Sequence, residues 1–272
     1  MSEFLINADW TFPIPIRYGP GRIKELGAVC IENGLKSPLI VTDQSMRDLP
    51  LIKQALESLK VSGFKEVIFS DIAPNPTDQN IFAGREAFLE GDHDAVIAIG
   101  GGSGMDAGKA ISLVAHYQFD LWDFDYDKPV PELRSPINFP ALICIPTTAG
   151  TGAETESTAM VTDTKRGVKR CVWHPKQKPV TAILDPILTL GLPKNLTAWT
   201  GCDALVHALE ALSVPQWHPL CDGLALQSIR MISQNLPAVV KNGSDLKARG
   251  AMLVASCLAG ISFLKGLVLN FV

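Results

Sequence analysis

The sequence lacks the features that mark several specialised classes of protein. Its six cysteines include no C-x-x-C pair, which argues against a disulfide framework and favours reduced thiols. Basic residues are not in excess, since 24 Lys and Arg stand against 28 Asp and Glu, so the electrostatic footprint for nucleic acid is missing. No apolar run approaches the roughly 18 residues of a membrane span, and Met1–Trp10 has no signal-peptide pattern. These absences predict a cytoplasmic globular protein without nucleic-acid or membrane partners.

Apolar strand patterns and helical patterns alternate over the first two thirds of the chain. The predicted strands are 10–16, 37–42, 65–70, 95–99, 141–145, 158–162, 169–173 and 181–184. A helical pattern follows each of the first four, which predicts a parallel sheet covered by helices. From Asn195 onward only helical patterns remain, over 197–212, 220–241 and 245–264. We therefore predict an α/β domain over residues 1–191 and an all-helical domain over residues 192–272.

The stretch AVIAIGGGSGMDAGK, residues 95–109, combines a buried strand, a glycine turn and the start of a helix. Glycines let backbone N–H groups approach a phosphate closely, and the helix dipole favours its negative charge. We interpret this turn as the binding site for the pyrophosphate of a dinucleotide. The alternative is that the glycines serve only the tight packing of the helix on the sheet.

Two further strand ends carry polar residues that suit the same ligand. Asp43 follows the strand 37–42, where a carboxylate accepts hydrogen bonds from the adenosine ribose and repels a 2′-phosphate. A solvated aspartate in a turn is the alternative. The strand 141–145 runs into PTTAGTGAE, residues 146–154, whose threonine hydroxyls could bind a phosphate or a ribose.

The segment GCDALVHALEA, residues 201–211, offers a candidate metal site. Asp203 and His207 are four residues apart, so on a helix they project from one face and could chelate one divalent metal. The alternative is a structural pair in which the carboxylate only orients the imidazole. A metal site needs at least a third protein ligand, and His218, the only later histidine, lies in a proline-flanked loop that we predict to be at the surface.

We predict no functional site at three other histidines or at one cluster of acidic residues. Three histidines at the ends of elements are predicted to lie at the surface, namely His93, His116 and His174. An acidic cluster resembles a calcium loop but lacks its glycine and terminal glutamate, so it is predicted to be a solvated loop. Its members are Asp120, Asp123, Asp125 and Asp127.

Taken in order, the motifs resemble those of the iron-containing (group III) alcohol dehydrogenases, relatives of glycerol dehydrogenase and dehydroquinate synthase. The residues that carry the resemblance are Tyr18–Gly21, Asp43, Pro74–Thr77, Gly100–Lys109, Pro146–Glu154, Asp185–Pro186 and Gly201–Ala211. The match extends from about residue 10 to Lys265. It implies a Rossmann-like NAD-binding domain, then a helical metal-binding domain, with the active site in the cleft between them.

The resemblance also implies roles for individual residues. Gly101, Gly102 and Ser103 match the pyrophosphate cradle, with Asp106 supporting the turn or the cofactor. Asp43 matches the ribose-binding position and favours NAD over NADP. The other implied cofactor contacts are Asn75, Thr147, Thr148, Thr151 and Lys169. Asp203 and His207 match the first two of four metal ligands, for which Fe(II) is expected and Zn(II) also fits.

The sequence departs from the family pattern at its end. The family continues A-G-x-x-F-x-x-x-L-G-x-x-H, with a further histidine, and these two histidines complete the metal site. Here Val268 stands in place of the glycine and Phe271 in place of the third ligand. We therefore expect a truncated or frameshifted chain with Val268–Val272 as an aberrant tail, and uncovered apolar faces on the helices 220–241 and 245–264 that lead to poor solubility or association.

The resemblance implies a metal- and NAD-dependent alcohol dehydrogenase that transfers hydride between a small alcohol or aldehyde and NAD, as a homo-oligomer. No side chain is identified as a dedicated general base. With two of four metal ligands, we expect this chain to bind NAD but to have little or no activity. Two alternatives stay open: a glycerol or diol dehydrogenase, or a lyase of the dehydroquinate synthase type, on the same scaffold, and an inactive nucleotide-binding remnant.

Overall fold

The computed structural model describes residues 8–10, 14–115, 119–132, 139–215 and 217–267. The strands are β1 Ala8–Trp10, β2 Ile16–Tyr18, β3 Pro38–Val41, β4 Ile68–Phe69, β5 Ala95–Gly100, β6 Ala141–Pro146, β7 Thr158–Asp163, β8 Val168–Trp173 and β9 Thr181–Leu184. The helices are α1 Leu26–Glu32, α2 Pro50–Val61, α3 Asp78–Glu90, α4 Gly102–Val114, α5 Lys194–Ser213, α6 Pro219–Lys241 and α7 Leu246–Leu267. Short 3-10 helices cover Arg22–Glu25, Leu121–Phe124, Ala153–Thr155 and Pro186–Thr189.

The described residues divide into two units. The sheet unit takes the described residues within Ile23–Ile145 and Ser157–Ile183, and the helical unit takes those within Met1–Arg22, Pro146–Glu156 and Leu184–Val272. The division differs from a single boundary near residue 191, because two segments that precede this point in the chain group with the C-terminal helices. The domain limits predicted from the sequence stay a prediction.

The strands of the sheet unit run in the order β9-β6-β5-β3-β4. The pairs β3–β4, β3–β5 and β6–β9 are parallel, with Val41 opposite Phe69 on one side and opposite Ala98 on the other. Numbered along the chain, this is the doubly wound order 2-1-3-4-5. The parallel sheet expected from the alternation of strands and helices is confirmed.

Burial explains why these segments form strands and helices. All six residues of β5 and all four of β3 are buried, as expected for strands covered on both faces. The helix α3 begins with a capping box, in which the Thr77 side chain accepts from the Asn80 N–H and the Asn80 side chain accepts from the Thr77 N–H. Local capping of this kind fixes where the helix starts after a loop that contains two prolines.

The strands β7 and β8 form a separate antiparallel hairpin within the sheet unit. Their register pairs Thr158 with Trp173 and Thr162 with Lys169. Arg170 fastens the hairpin, because its guanidinium binds the carboxylates of Asp125 and Asp163 and lies 4.3 Å above the ring of Trp122. The hairpin predicted from the sequence is confirmed.

In the helical unit, α5, α6 and α7 pack around a core rich in alanine and methionine. Its fully buried members include Ala204, Ala208, Ala225, Ala251 and Ala255. Small side chains let the helices approach closely, and a Cβ at Gly201 would lie 2.3 Å from Leu236. The three predicted helices are confirmed, with boundaries displaced by a few residues at most.

The helix α7 is the one described helix long and apolar enough to pass a membrane-span test by length and composition. The window Leu246–Phe263 has a mean hydropathy of 1.3, and 72% of it is buried inside the molecule. A buried core helix passes the same test. The expectation of an uncovered apolar face on 245–264 is therefore wrong for the described part of this helix, because its apolar residues pack against α5 and α6.

Other expectations from the sequence also need correction. His93 and His174 are buried, with exposures of 9% and 3%, because His93 binds the Ser37 carbonyl and His174 packs against two phenylalanine rings. His116 lies outside the described residues. Asp125 is not solvated but buried at the Arg170 guanidinium. The predicted strand 10–16 is replaced by β1 and β2, and Pro15, which has no N–H for a ladder, immediately precedes β2.

Candidate functional site

The carboxyl ends of β3 and β5 lie where sheets of this topology offer a crevice for a ligand. In a doubly wound sheet of order 2-1-3-4-5, the connections leave neighbouring strands in opposite directions at one point, and a crevice opens there. That point lies between β3 and β5. Asp43 follows β3 and the glycine turn follows β5, so the fold brings together two features that the sequence places about 60 residues apart.

The glycine turn passes directly into α4. The first bond within the helix runs from the Met105 N–H to the Gly101 carbonyl at 3.1 Å, so the N–H groups of residues 102–104 precede the helical ladder. Gly101 stands at the N-cap position and supplies no side-chain cap. Such uncapped N–H groups at a helix start are suited to an anion.

The glycines are also required by packing. A Cβ at Gly104 would lie 2.9 Å from the Ile99 carbonyl oxygen, and a Cβ at Gly108 would lie 2.6 Å from the Ala98 Cβ. The helix therefore runs unusually close to β5, and any side chain at these two positions would displace it. The packing interpretation of the glycine-rich stretch is confirmed, and the pyrophosphate interpretation stays a prediction that this packing is compatible with, since it brings the helix start to the sheet edge.

Asn75 closes the turn from the other side. Its backbone N–H donates to the Ser103 Oγ at 3.2 Å, and its φ of 60° lies in the left-handed region. A non-glycine residue in this region carries strain of roughly 1–3 kcal/mol, which asparagine tolerates better than most residues. The strained residue thus lies beside the helix start, where the sequence predicts a cofactor contact.

Asp43 makes local hydrogen bonds within the same edge. Its Oδ1 accepts from the Ser45 N–H at 3.0 Å and from the Ser45 hydroxyl at 2.5 Å. A Cβ at Gly104 would lie 3.7 Å from the Asp43 N, which places the carboxylate-bearing residue against the turn. The carboxylate is half-buried and its second oxygen, Oδ2, has no hydrogen-bond partner among the described residues.

Asp106 and Lys109 lie on α4 behind the turn and bind the hairpin. The Lys109 Nζ is fully buried and donates to the Thr158 carbonyl at 3.0 Å, and Asp106 accepts from the Met160 N–H. Burial raises the pKa of Asp106 to about 6, against the opposing effects of Lys109, the Met160 N–H and Lys169. Asp106 thus joins α4, which begins at the turn, to the hairpin.

In the helical unit, the loop Pro146–Glu156 packs against two helices. A Cβ at Gly150 would lie 2.8 Å from the Thr200 Cβ on α5, and a Cβ at Gly152 would lie 2.7 Å from the Gly260 Cα on α7. Gly152 also has a φ of 65°, so glycine is needed there twice over. The threonines of this loop range from buried Thr147 to half-buried Thr148 and Thr151.

Asp203 and His207 face each other on α5. The distance between the His207 Nε2 and the Asp203 Oδ1 is 3.8 Å, too long for a hydrogen bond and short enough for one cation to bridge with ligand distances of about 2.0–2.2 Å. The exposed fractions of the two side chains are 23% and 44%, so the pair lies at the surface of the helix. The purely structural alternative is weakened, because the carboxylate does not bind the imidazole.

The pair does not complete a metal centre on its own. Among the described residues, no group of three or more His, Cys, Asp or Glu side chains is placed to hold a metal ion. His218 caps the start of α6, where its Nδ1 accepts from the Cys221 N–H at 3.3 Å. The buried His207 Nδ1 has no hydrogen-bond partner in the described part of the chain, whereas ligating histidines usually have one. Two donors fit two positions of a site that takes three or four protein ligands.

The order of the sheet and the helical unit define an α/β protein of the doubly wound class with an appended helix bundle. Comparison with known families agrees over nearly the whole chain. The family model for iron-containing alcohol dehydrogenase matches residues 13–186, and that for the C-terminal part of the Fe-containing alcohol dehydrogenase family matches residues 197–268. This chain belongs to the iron-containing alcohol dehydrogenase family.

Individual relatives agree with this assignment. The 1,3-propanediol dehydrogenase of Citrobacter freundii is 37% identical over 94% of this chain and 65% of its own length. The NAD-dependent methanol dehydrogenase of Bacillus methanolicus is 38% identical over 91% of this chain and 64% of its own length. The structure of sulfoacetaldehyde reductase from Bifidobacterium kashiwanohense in complex with NAD+ has a TM-score of 0.85 and 29% identity, covering 95% of this chain and 66% of that one. The chain thus spans about two thirds of the length of these relatives.

Sequence reasoning missed the partners of Lys109 and the role of Arg170. A signal for the first was present, because Asp106 and Lys109 stand one helical turn apart among glycines and alanines, in a segment with little other polar surface. Two charges on one face of such a helix must find polar partners when the face is buried. The partners are backbone atoms of β7, which have no signature in the sequence.

Proposed function

We propose that this chain binds NAD at the switch point between β3 and β5. The observation that carries the proposal is the meeting of Asp43 with an uncapped helix start at one sheet edge. The N–H groups at Gly101, Gly102 and Ser103 would bind the pyrophosphate, and the Asp43 carboxylate would accept from the adenosine ribose hydroxyls. A 2′-phosphate would be repelled by Asp43, so NAD is preferred over NADP.

Further contacts follow from the family motifs. We assign Asn75 and Lys169 to the cofactor, with Lys169 at the nicotinamide ribose and Asp106 behind the turn. Thr147, Thr148 and Thr151 are assigned to a second cofactor loop. The Thr151 hydroxyl oxygen accepts from the Ala153 N–H at 3.3 Å, and this hydrogen bond shapes the loop. The hydroxyl proton of Thr151 would then be donated to the cofactor.

We propose further that the protein is an alcohol dehydrogenase that acts on a small alcohol or aldehyde. The names of its relatives, a 1,3-propanediol dehydrogenase and an NAD-dependent methanol dehydrogenase, support short alcohols and diols as substrates. A divalent metal, Fe(II) or Zn(II), would supply Lewis-acid polarisation of the substrate oxygen, and NAD would be the hydride acceptor. Asp203 and His207 would hold two positions of that metal.

Binding and turnover need separate tests, because the described residues bring two metal donors only. We expect NADH fluorescence titration of the 272-residue chain to show saturable binding, stronger for NADH than for NADPH. We expect little or no alcohol oxidation in the same preparation, with or without added Fe(II) or Zn(II). Turnover at a normal rate with about one metal per chain would contradict the second expectation and leave the first intact.

A panel of substrates distinguishes the alternatives on the same scaffold. Primary alcohols, 1,3-propanediol, 1,2-diols and glycerol should be offered with NAD and each metal, and any residual product should be identified. A preference for glycerol would favour the diol-type alternative over the simple alcohol. NAD binding that is indifferent to metal and gives no product with any alcohol would favour the nucleotide-binding remnant.

We also propose a cytoplasmic location and self-association. None of the six cysteines, all of which are among the described residues, is in a disulfide, and four of them, Cys30, Cys144, Cys221 and Cys257, are buried, as suits a reducing compartment. Self-association is supported by large apolar side chains exposed on α5, among them Trp199 at 65% and Val206 at 49%. Fractionation of the source cells and light scattering of the purified chain test the two proposals.

A further inference from the structure

The two charged side chains in the middle of the glycine-rich motif bind one strand edge. Asp106 and Lys109 are three residues apart and share a face of α4. Their partners, the Met160 N–H and the Thr158 carbonyl, are two residues apart and so lie on the same edge of β7. One helical turn of α4 is therefore matched to a two-residue repeat of β7. The Asp106 carboxylate accepts from an N–H of the strand, and the Lys109 ammonium donates to a carbonyl of the strand.

This contact places the other strand of the hairpin as well. Lys169 of β8 pairs with Thr162 of β7, and Lys169 is close enough for its charge to act on the Asp106 carboxyl. The two strands are joined along their whole length by backbone pairing and also by the Arg170 Nη1, which lies 2.8 Å from the Asp163 Oδ2. A shift of β7 along α4 would carry Lys169 with it.

We propose that Asp106 and Lys109 are positioning residues, which hold the β7–β8 hairpin on α4 and thereby hold Lys169 against the bound nicotinamide nucleotide. The proposal rests on the proposed function, because it assumes that NAD binds at the neighbouring turn. Neither Asp106 nor Lys109 needs to touch the cofactor. The motif then has two parts, glycines that receive the pyrophosphate and charges that fix the opposite wall.

Asp106 is ionised at pH 8, where its carboxylate accepts from the Met160 N–H and attracts both lysines. Burial raises its pKa to about 6, so the folded chain binds this proton more readily than the unfolded one, and protonation below about pH 6 does not release the hairpin. The elements packed against α4 carry eight other charged residues. The strands β3 and β5 have none, β7 has Asp163, β8 has Lys169 and Arg170, and the neighbouring α3 and 3-10 helix have Asp78, Arg85, Glu86, Glu90 and Asp123.

The test uses Asp106→Asn, which keeps the shape and an acceptor oxygen but removes the charge. At pH 8 we expect the variant to bind NADH about tenfold more weakly than the wild-type chain, because the Met160 N–H loses a charged acceptor and Lys169 loses an attracting charge. Asp92→Asn, at an exposed aspartate two residues after the end of α3, is the matched control and should follow the wild type. The thermal midpoint at pH 8 is measured on the same samples to establish that both variants are folded during the titration.

Two further measurements isolate the hairpin. Hydrogen exchange without nucleotide should show faster exchange over residues 158–173 in Asp106→Asn and in Lys109→Met, with the rest of the chain unchanged. In a double-mutant cycle, Asp106→Asn should weaken NADH binding about tenfold in the wild-type background and not at all in the Lys169→Met background. Both results are expected if Asp106 affects NADH binding only through Lys169.

The outcomes separate this proposal from the one on which it rests. A wild-type chain that does not bind NADH at any pH overturns the proposed function, while the exchange experiment still reports on the hairpin. Equal NADH affinities of the wild type and Asp106→Asn at pH 8 overturn the positioning role. Unchanged exchange over the hairpin overturns it too, even if binding weakens.

Discussion

Asp43 shows how much of the site depends on the placement of one side chain. Its Oδ1 is engaged by Ser45, which fixes the carboxylate at the end of β3, and its Oδ2 stays available among the described residues. The sequence predicts the aspartate at a strand end but leaves a solvated turn equally open. The structure favours the ribose role, because the neighbouring strand is β5 and the glycine turn lies beside it.

Replacing Asp43 by serine should change the choice of nucleotide. We expect Asp43→Ser to weaken NADH binding about tenfold or more, since a hydrogen bond to a charged group contributes about 1.5–3 kcal/mol. NADPH should lose less or gain, because the negative charge that repels the 2′-phosphate is gone. Fluorescence titrations with both nucleotides measure the ratio. Asp48→Ser, an exposed carboxylate five residues later, serves as the control, and an unchanged NADH affinity in Asp43→Ser would contradict the ribose role.

The structural positions of single residues were predicted correctly where the neighbouring residues in the sequence determine them. Ser103, Gly101 and Gly102 lie at a helix start, and Asp203 lies one turn before His207 on α5, as predicted. His93 and Asp125 were placed wrongly because their partners, Ser37 and Arg170, are distant in the sequence. Burial of a polar residue depends on such partners, and neighbours along the chain do not reveal them.

At the scale of elements, the loop Pro146–Glu156 depends on close contact with α7. Gly152 has a left-handed backbone conformation and lies against Gly260 of α7. Because neither residue has a side chain, the backbones of the loop and the helix approach closely. The loop that would receive part of the cofactor is therefore fixed by the helical unit's own packing. Its glycines are structural first, and any binding by its threonines relies on them.

Replacing Gly152 by alanine should lower the stability of the chain markedly. The Cβ would lie 2.7 Å from the Gly260 Cα, and overpacking typically costs about 1–3 kcal/mol in addition to roughly 1–2 kcal/mol for the left-handed backbone. Urea denaturation gives the free energy of unfolding. Gly167→Ala is a matched control, since Gly167 has a φ of 67° but no atom within 4 Å of the added Cβ, and it should show the backbone cost alone. Equal losses in the two variants would show that the contact with Gly260 is unimportant.

The outer face of α5 is unusual for a surface helix. Opposite its buried Gly201, Ala204 and Ala208, the helix exposes Trp199 and Leu209, whose exposed fractions are 65% and 46%. A helix that is apolar on all sides is normally buried. The association predicted from the sequence for the later helices is thus better placed on α5, with Leu220 and Leu226 of α6 also exposed.

The double variant Trp199→Gln, Leu209→Gln should reduce self-association. We expect the wild-type chain to elute as a concentration-dependent oligomer and the variant to shift toward the monomer, because large apolar side chains would no longer be removed from water by association. Size-exclusion chromatography with light scattering follows the change. Val61→Gln, which removes an exposed apolar residue at the end of α2, should leave the association unchanged. Identical profiles for the wild type and the double variant would contradict a role for this face.

The elements themselves were largely predictable. The helix predicted over 51–60 is Pro50–Val61, and the one predicted over 220–241 is Pro219–Lys241. Periodicity specifies such segments because one face of each must be buried. The strand predicted over 10–16 was wrong. The strand β2 begins only at Ile16, directly after Pro15, which has no backbone N–H to donate to a neighbouring strand.

For the whole molecule, the pH dependence of stability has an identifiable contribution from His174. Burial against Phe124 and Phe139 lowers the pKa of His174, with a smaller effect of Lys176. The unfolded chain therefore binds a proton more readily than the folded one as the pH falls below about 6.5, and folding loses stability there. Above that pH the contribution is fully present.

We expect His174→Gln to flatten the loss of stability between pH 7 and pH 5. Denaturation at several pH values gives the free energy of unfolding, and its slope against pH should be smaller in the variant because one coupled proton is removed. The absolute stability at pH 7 should fall, as the ring contacts with the two phenylalanines are lost. His218→Gln, at the start of α6, is the comparison for a partly exposed histidine. A slope equal to that of the wild type would contradict the assignment.

The sequence by itself determined the alternation of strands and helices, the glycine turn at a helix start, and the family to which the chain belongs. These rest on local properties, namely periodicity, backbone freedom and the order of short motifs. Only the tertiary structure decided that Asp43 and the turn share one switch point, that two histidines are buried, and that Asp106 and Lys109 bind the edge of β7. Such contacts join side chains to distant backbone atoms, and every residue except proline offers the same N–H and carbonyl, so no letter of the sequence identifies the partner.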